Sequence, residues 1–191
     1  MTIQKIKVAA FKNFAENGYN GGSLAQIAEE VGIKKQSIYT YFKSKDVLYT
    51  TLSKEAMEFE LAFIEQFFED NKKGKMEKIL FQLLHACEKR FAEQVLTKFF
   101  LRSAFFPPPH LEKQLMEHVY YYLDSLEQQF THYFKLQSIA VSPQEAAISY
   151  LALLDSLFVE MLYGGHARFE KRLQASWTVF YRGLTYRGET S

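Results

Sequence analysis

Residues 23–45 read SLAQIAEEVGIKKQSIYTYFKSK, and the placing of their apolar side chains decides the fold. Leu24, Ile27, Ala28 and Val31 recur at three- and four-residue steps, the buried stripe of a short helix. Ser23 followed by Gln26 is a capping box, in which the hydroxyl accepts from an orphan N–H and the glutamine reaches back. Gly32 ends that helix, with Ile33 placed for the apolar contact that accompanies a glycine C-cap. A further helix is predicted over residues 35–42; it buries Ile38 and Phe42 and leaves Lys35, Gln36, Tyr39 and Thr40 outward. Two short helices joined through Val31-Gly32-Ile33-Lys34 make a helix-turn-helix pattern, the glycine supplying the turn. Lys, Gln, Ser, Thr and Tyr on an exposed helix are the side chains that meet phosphates and base edges in a major groove. The same hairpin occurs in many helical proteins, so the pattern alone leaves function open.

The helical spacing extends both ways. Before the motif, Ile3, Ile6, Ala10, Phe11 and Phe14 give one face of a first helix, which Asn17-Gly18 stops. After it, Ser44 caps a helix expected over residues 45–71. Asn71-Lys72-Lys73-Gly74 reads as a turn, and residues 75–93 place Ile79, Leu80, Leu83, Leu84, Cys87 and Phe91 on one side. A short apolar helix over 96–106 is separated by Pro107-Pro108-Pro109 from a long one over 110–136. Ser142-Pro143 starts a helix to about residue 163, Gly164-Gly165 ends it, and a last helix spans 167–186. No β-type alternation of useful length appears, so the fold is all-α.

The 191 residues suffice for one or two domains. With 4 prolines and 9 glycines the composition opposes disorder and many-turned β folds. A single cysteine, Cys87, excludes an intrachain disulfide framework and fits a reducing cytoplasm; on its apolar stripe it reads as core rather than nucleophile. Residues 1–12 lack the continuous apolar run of a signal peptide. The stretch 146–163 is interrupted by Asp155 and Glu160, so no membrane is expected and the chain reads as cytoplasmic. The net charge of +1 hides an asymmetry: residues 1–54 carry eight lysines against four carboxylates, and the remainder is acidic by three. A basic module on an acidic body suggests a polyanion partner at one end.

Residues 11–52, FKNFAENGYNGGSLAQIAEEVGIKKQSIYTYFKSKDVLYTTL, resemble the N-terminal DNA-binding domain of TetR-type transcriptional regulators, about a quarter of the chain. The resemblance implies a three-helix helix-turn-helix DNA-binding domain over residues 1–50 and a larger helical effector-binding and dimerisation domain over 51–191. It implies DNA-binding roles for nine residues. Ser23 would point a helix N-terminus at a phosphate. Lys35, Gln36, Ser37 and Thr40 would face the groove, Tyr39 and Tyr41 would touch the sugar-phosphate backbone, and Lys45 would neutralise a further phosphate. Two residues depart from the family pattern. Lys34 replaces the usual serine or threonine cap, where it opposes the helix dipole unless an anion is close, and reads as an added backbone contact. Lys43 stands where proline is common.

The family likeness further implies a homodimer through the last two helices, with Leu151, Leu154, Leu157, Phe158, Met161 and Leu162 apolar enough for the interface, although a core buried within one chain would look the same and only their position favours an interface. It implies a double-stranded palindromic operator released by a small, largely apolar effector. Phe91, Phe99, Phe105, Phe106, Tyr120–Tyr122 and Phe158 could line a cavity, with His85, Arg102 and His118 orienting a polar end, although each also suits an ordinary core. The effector-binding residues therefore stay unassigned. Control by a protein partner instead of a small molecule is the alternative. An enzyme or carrier is remote: the five histidines form no H-E-x-x-H, and there is no P-loop or G-x-G-x-x-G, so no cofactor or metal is expected.

Overall fold

A computed structural model of the chain describes residues 2–186; Met1 and residues 187–191, the two ends of the expected domains, lie outside the described residues. Among the described residues nine α-helices follow one another: α1 Thr2–Gly21, α2 Leu24–Val31, α3 Lys35–Ile38, α4 Lys45–Asn71, α5 Met76–Glu93, α6 Val95–Phe105, α7 Glu112–Lys135, α8 Pro143–Val159 and α9 His166–Thr185. Among the described residues there is no strand. The chain forms two compact units, one from the residues up to Ala62 with Arg90–Tyr122, the other from Phe63–Lys89 with the residues from Leu123 onward. The expected boundary at residues 50–51 falls inside α4.

In the first unit α1 buries Ile6, Ala9, Ala10, Phe11 and Phe14. The stop at Asn17-Gly18 is present as a break in the ladder, Gly18 adopting φ 67°, although helical turns continue to Gly21. Arg102 of α6 donates to the carbonyls of Ala15 and Glu16 (3.5 and 3.4 Å) beside the break. The core is aromatic. Phe14 meets Tyr49 edge-on at 5.1 Å, and Phe99 meets Tyr49 at 5.0 Å and Phe11 at 5.3 Å. α6 therefore belongs to the same core as α1. Beneath it, buried Glu60 accepts from Arg90 (2.9 Å) and from the Thr97 hydroxyl (2.6 Å), while the Arg90 guanidinium lies 4.5 Å from the Phe59 ring centre.

In the second unit α8 has the expected cap: Ser142 and Glu145 exchange both hydrogen bonds of a capping box, with Pro143 in the first turn. The fully buried Tyr150 donates its hydroxyl to the Leu80 carbonyl at 2.7 Å and packs on Phe130 and Phe180. A single π-helical turn, Glu160–Gly164, ends α8, and the buried Glu160 carboxylate is gripped by Arg168 and Arg172 (2.8 Å each to Nε). Those two guanidiniums hold it below the usual carboxylate range. The stretch Pro143–Gly164 is long and apolar enough to cross a membrane on length and composition alone, with a mean hydropathy of 1.5, but more than half of it is buried inside the protein. Leu151, Leu154, Leu157, Phe158 and Met161 are among the residues it buries, with Leu162 half-buried. Of the two readings the stripe allows, a surface between copies or a core within the chain, their burial here favours the core.

Candidate nucleic-acid interface

α2 is fixed at both ends. Ser23 Oγ accepts from the Gln26 N–H at 3.5 Å, half of the expected box. The other half comes from α1 instead: Asn13 Oδ1 accepts the Ser23 N–H at 2.9 Å, and Asn13 Nδ2 donates to Gln26 Oε1 at 3.1 Å. At the C-terminus Gly32 adopts the left-handed conformation (φ 73°, ψ 34°). The Gly32 N–H bonds to Glu29 O and the Ile33 N–H to Ala28 O, the full Schellman pattern.

The chain then enters α3, which is shorter than the predicted 35–42. Only Lys35–Ile38 is α-helical. Tyr39, Thr40 and Tyr41 each bond to the carbonyl three residues back, the tighter 3₁₀ spacing, and only Phe42 returns to the fourth. A run of aromatic and β-branched residues at 39–42 loses χ1 freedom in an α-helix, which explains the early end. The burial pattern is as expected. Ile38 and Phe42 are buried, at 0% and 4% exposure. Lys34, Lys35, Gln36, Tyr39, Thr40 and Tyr41 are exposed, and Ser37 is half-buried. Lys34 precedes α3 without a side-chain cap, its carbonyl accepting from the Ser37 N–H at 2.8 Å. Residues 34–45 contain four lysines and no carboxylate. Among the described residues Lys34, Lys35 and Lys43 enter no ion pair, whereas Lys12 pairs with Glu30 and Lys7 with Glu55.

Lys45 is placed differently from the other lysines. Its Nζ lies 4.3 Å from the Tyr19 ring centre, and burial lowers its pKa against the pull of Asp46. The Tyr19 hydroxyl donates to Asp46, and His110 Nε2 lies 3.4 Å from the same carboxylate oxygen. The Tyr19 bond, more than His110, holds Asp46 below the usual carboxylate range, while burial and then Asp46 push Tyr19 up to about 12. Ser44 Oγ completes the start of α4 by accepting from the Val47 N–H at 3.1 Å. The sequence alone assigns no role to Asn13, Tyr19, Asp46 or His110: Ser44-Lys45-Asp46 announces a helix start, but nothing local announces a partner 64 residues away.

The residues proposed as cavity lining have other partners. Phe99 is core, Arg102 serves α1, His118 sits 3.3 Å from Ser53 Oγ, and Phe105, Phe106, Tyr120 and Tyr121 are exposed.

Residues 6–52 match the model of the tetR family of bacterial regulatory proteins. Over these residues, about a quarter of the chain, the protein is similar to the DNA-binding domain of that family. The regulator RutR of Escherichia coli K12 is 37% identical over 62 residues, 32% of this chain and 29% of RutR, so the match spans less than a third of that relative. A TetR-family regulator from Mesorhizobium loti superposes with a TM-score of 0.71 at 23% identity, covering 97% of both chains. The regulator FadR of Bacillus subtilis, solved with stearoyl-CoA, gives 0.67 at 20% identity, over 95% of this chain and 99% of that one. At these identities the two structures show a shared fold, an N-terminal helix-turn-helix followed by a larger helical part.

Proposed function

We propose that this chain is a TetR-type repressor that binds a palindromic operator as a homodimer and is released by a small, largely apolar effector. The observation that carries the reading is the carboxylate-free face of residues 34–45, held outward by Ile38 and Phe42. In this reading Lys34, Lys35, Gln36, Ser37 and Thr40 meet the major groove and its edges, Tyr39 and Tyr41 reach phosphates, and Ser23 presents the start of α2 to another. Lys45, committed to the Tyr19 ring, adds its charge from the side. Two copies would enter successive grooves roughly 34–36 Å apart. Replacing Tyr39 with alanine should weaken operator binding about tenfold, since a hydrogen bond to a charged group contributes about 1.5 kcal/mol or more. Thermal stability and oligomeric state should stay unchanged; loss of folding would make Tyr39 a core residue instead.

Pairing of α8 and α9 with their copies would use their outer faces, where Ile148, Val159, Tyr163 and Val179 are exposed. For the effector, a groove of about 520 Å³ in the second unit is lined by Phe68, Tyr133 and Leu136 with polar groups at its rim. The buried Tyr133 hydroxyl has no hydrogen-bond partner among the described residues, and burial pushes its pKa up to about 12. A ligand carbonyl would satisfy that donor while its chain covers Phe68 and Leu136. FadR, with stearoyl-CoA bound, makes acyl thioesters the first compounds to try. To move the operator-competent form from 99% to 1%, the ligand needs about 5.5 kcal/mol of differential affinity. α4, continuous from Lys45 to Asn71, is the element that would carry the change.

Footprinting the DNA upstream of the coding region, with and without acyl-CoA thioesters, tests this reading. A twofold-symmetric protected site that disappears with ligand is expected. No protection at any salt concentration would overturn the DNA-binding reading, and protection indifferent to every apolar ligand would overturn the effector.

A further inference from the structure

α5 and α9 carry histidine and glutamate in matching pairs. His85 and Glu88 are three residues apart on α5, and His166 and Glu170 are four apart on α9, so each pair shares one helix face. The faces meet. His85 Nδ1 lies 3.3 Å from Glu170 Oε1, and His166 Nδ1 lies 2.8 Å from Glu88 Oε1. One ligand atom each from His85, Glu88 and Glu170 lie within 4.8 Å of one another. The His85 ring is set by edge-on packing against Phe81 (5.0 Å) and Phe169 (6.2 Å), so its orientation does not rely on the carboxylate. Glu88 and Glu170 are only partly exposed, 20% and 32% at the side chain, and His85 37%, which leaves a path for a hydrated ion.

We propose that His85 and Glu88 of α5 and Glu170 of α9 bind a divalent transition-metal ion of the zinc type, with water in the fourth position. One imidazole and two carboxylates are a borderline nitrogen–oxygen set, suited to Zn²⁺ rather than to Mg²⁺ or Ca²⁺, which favour oxygen alone. Zinc–ligand bonds of roughly 2.0–2.1 Å put tetrahedral donors about 3.3 Å apart. The His85–Glu170 pair already stands at that spacing, and the third donor lies within 4.8 Å of both. The ion would neutralise both carboxylates and clip α5 to α9. Nothing in this site draws on residues 23–45, so the proposal stands independently of DNA binding.

The test is isothermal titration of the full-length, tag-free, chelator-treated protein with ZnCl₂, with thermal melts recorded alongside. The expected result is one Zn²⁺ per chain, a higher melting temperature with zinc, and at least tenfold weaker binding in E170Q and in H85N. H132N, which alters a histidine outside the cluster, should bind as the wild type does. E170Q keeps shape and size; if its metal-free melt matches the wild type, its weakened binding reports a lost ligand and not a lost fold. Unsaturable binding in the wild type, or equal affinity in the H85N/E170Q double variant, would overturn the site.

Discussion

Alanine at Gly22 should destabilise the first unit by about 3 kcal/mol, the upper range for forcing an extra methyl group into a packed core. A Cβ built there lies 2.3 and 2.5 Å from two atoms of the Phe14 ring and 2.9 Å from the Gly18 carbonyl oxygen. Neither neighbour can retreat. Phe14 is fully buried between Tyr49 and Phe99, and the Gly18 carbonyl accepts the Gly22 N–H at 3.0 Å. Gly32 makes an informative contrast: its φ of 73° disfavours a side chain, but nothing lies within 4 Å of its missing Cβ. Gly32→Ala should therefore cost only about 1 kcal/mol, from backbone conformation alone. Guanidinium denaturation of the two variants separates the mechanisms, and shrinking Phe14 to leucine should partly rescue G22A but not G32A. Equal losses in the two variants would mean that Phe14 is not wedged as described.

Removing Arg90 should cost a similar amount, about 3 kcal/mol, because it leaves a buried carboxylate with too few partners. Glu60 has 9% of its side chain accessible and Arg90 16%, so water compensates poorly for a missing guanidinium. The Thr97 hydroxyl still donates to Glu60, which keeps the loss at the low end of the 3–5 kcal/mol that breaking a buried pair typically costs. The double variant R90M/E60Q should recover most of the stability, because removing both charges removes the unpaired one. Urea denaturation of both single variants and the double closes the cycle; purely additive effects would show that the pair is not coupled.

The sequence revealed what depends on neighbours along the chain and missed what depends on distant ones. The Gly32 C-cap, the Ser44 and Ser142 helix starts, and the span of α4 from Lys45 to Asn71 are set by local chemistry and appear where the residues indicated. The stop of α3 at Ile38 was less legible, because Tyr39-Thr40-Tyr41-Phe42 keeps a helical burial pattern while its hydrogen bonds tighten. The exposure of Lys35, Gln36, Tyr39 and Thr40 followed from Ile38 and Phe42 being the inward residues. Asn13 against Ser23, Arg102 against α1 and His110 against Asp46 are pairings across the fold that no spacing announces. The same limit explains α8, whose apolar residues are absorbed by the chain's own core.

The central claim is that the lysine-rich face of residues 34–45 neutralises phosphates of a duplex. Operator affinity measured by fluorescence anisotropy over a range of salt concentrations, for the wild type and for K34A/K35A, tests it most directly. Two lost phosphate contacts should flatten the slope of log K against log salt by about 1.8, at roughly 0.9 per contact. An unchanged slope in a variant that still folds would contradict the claim.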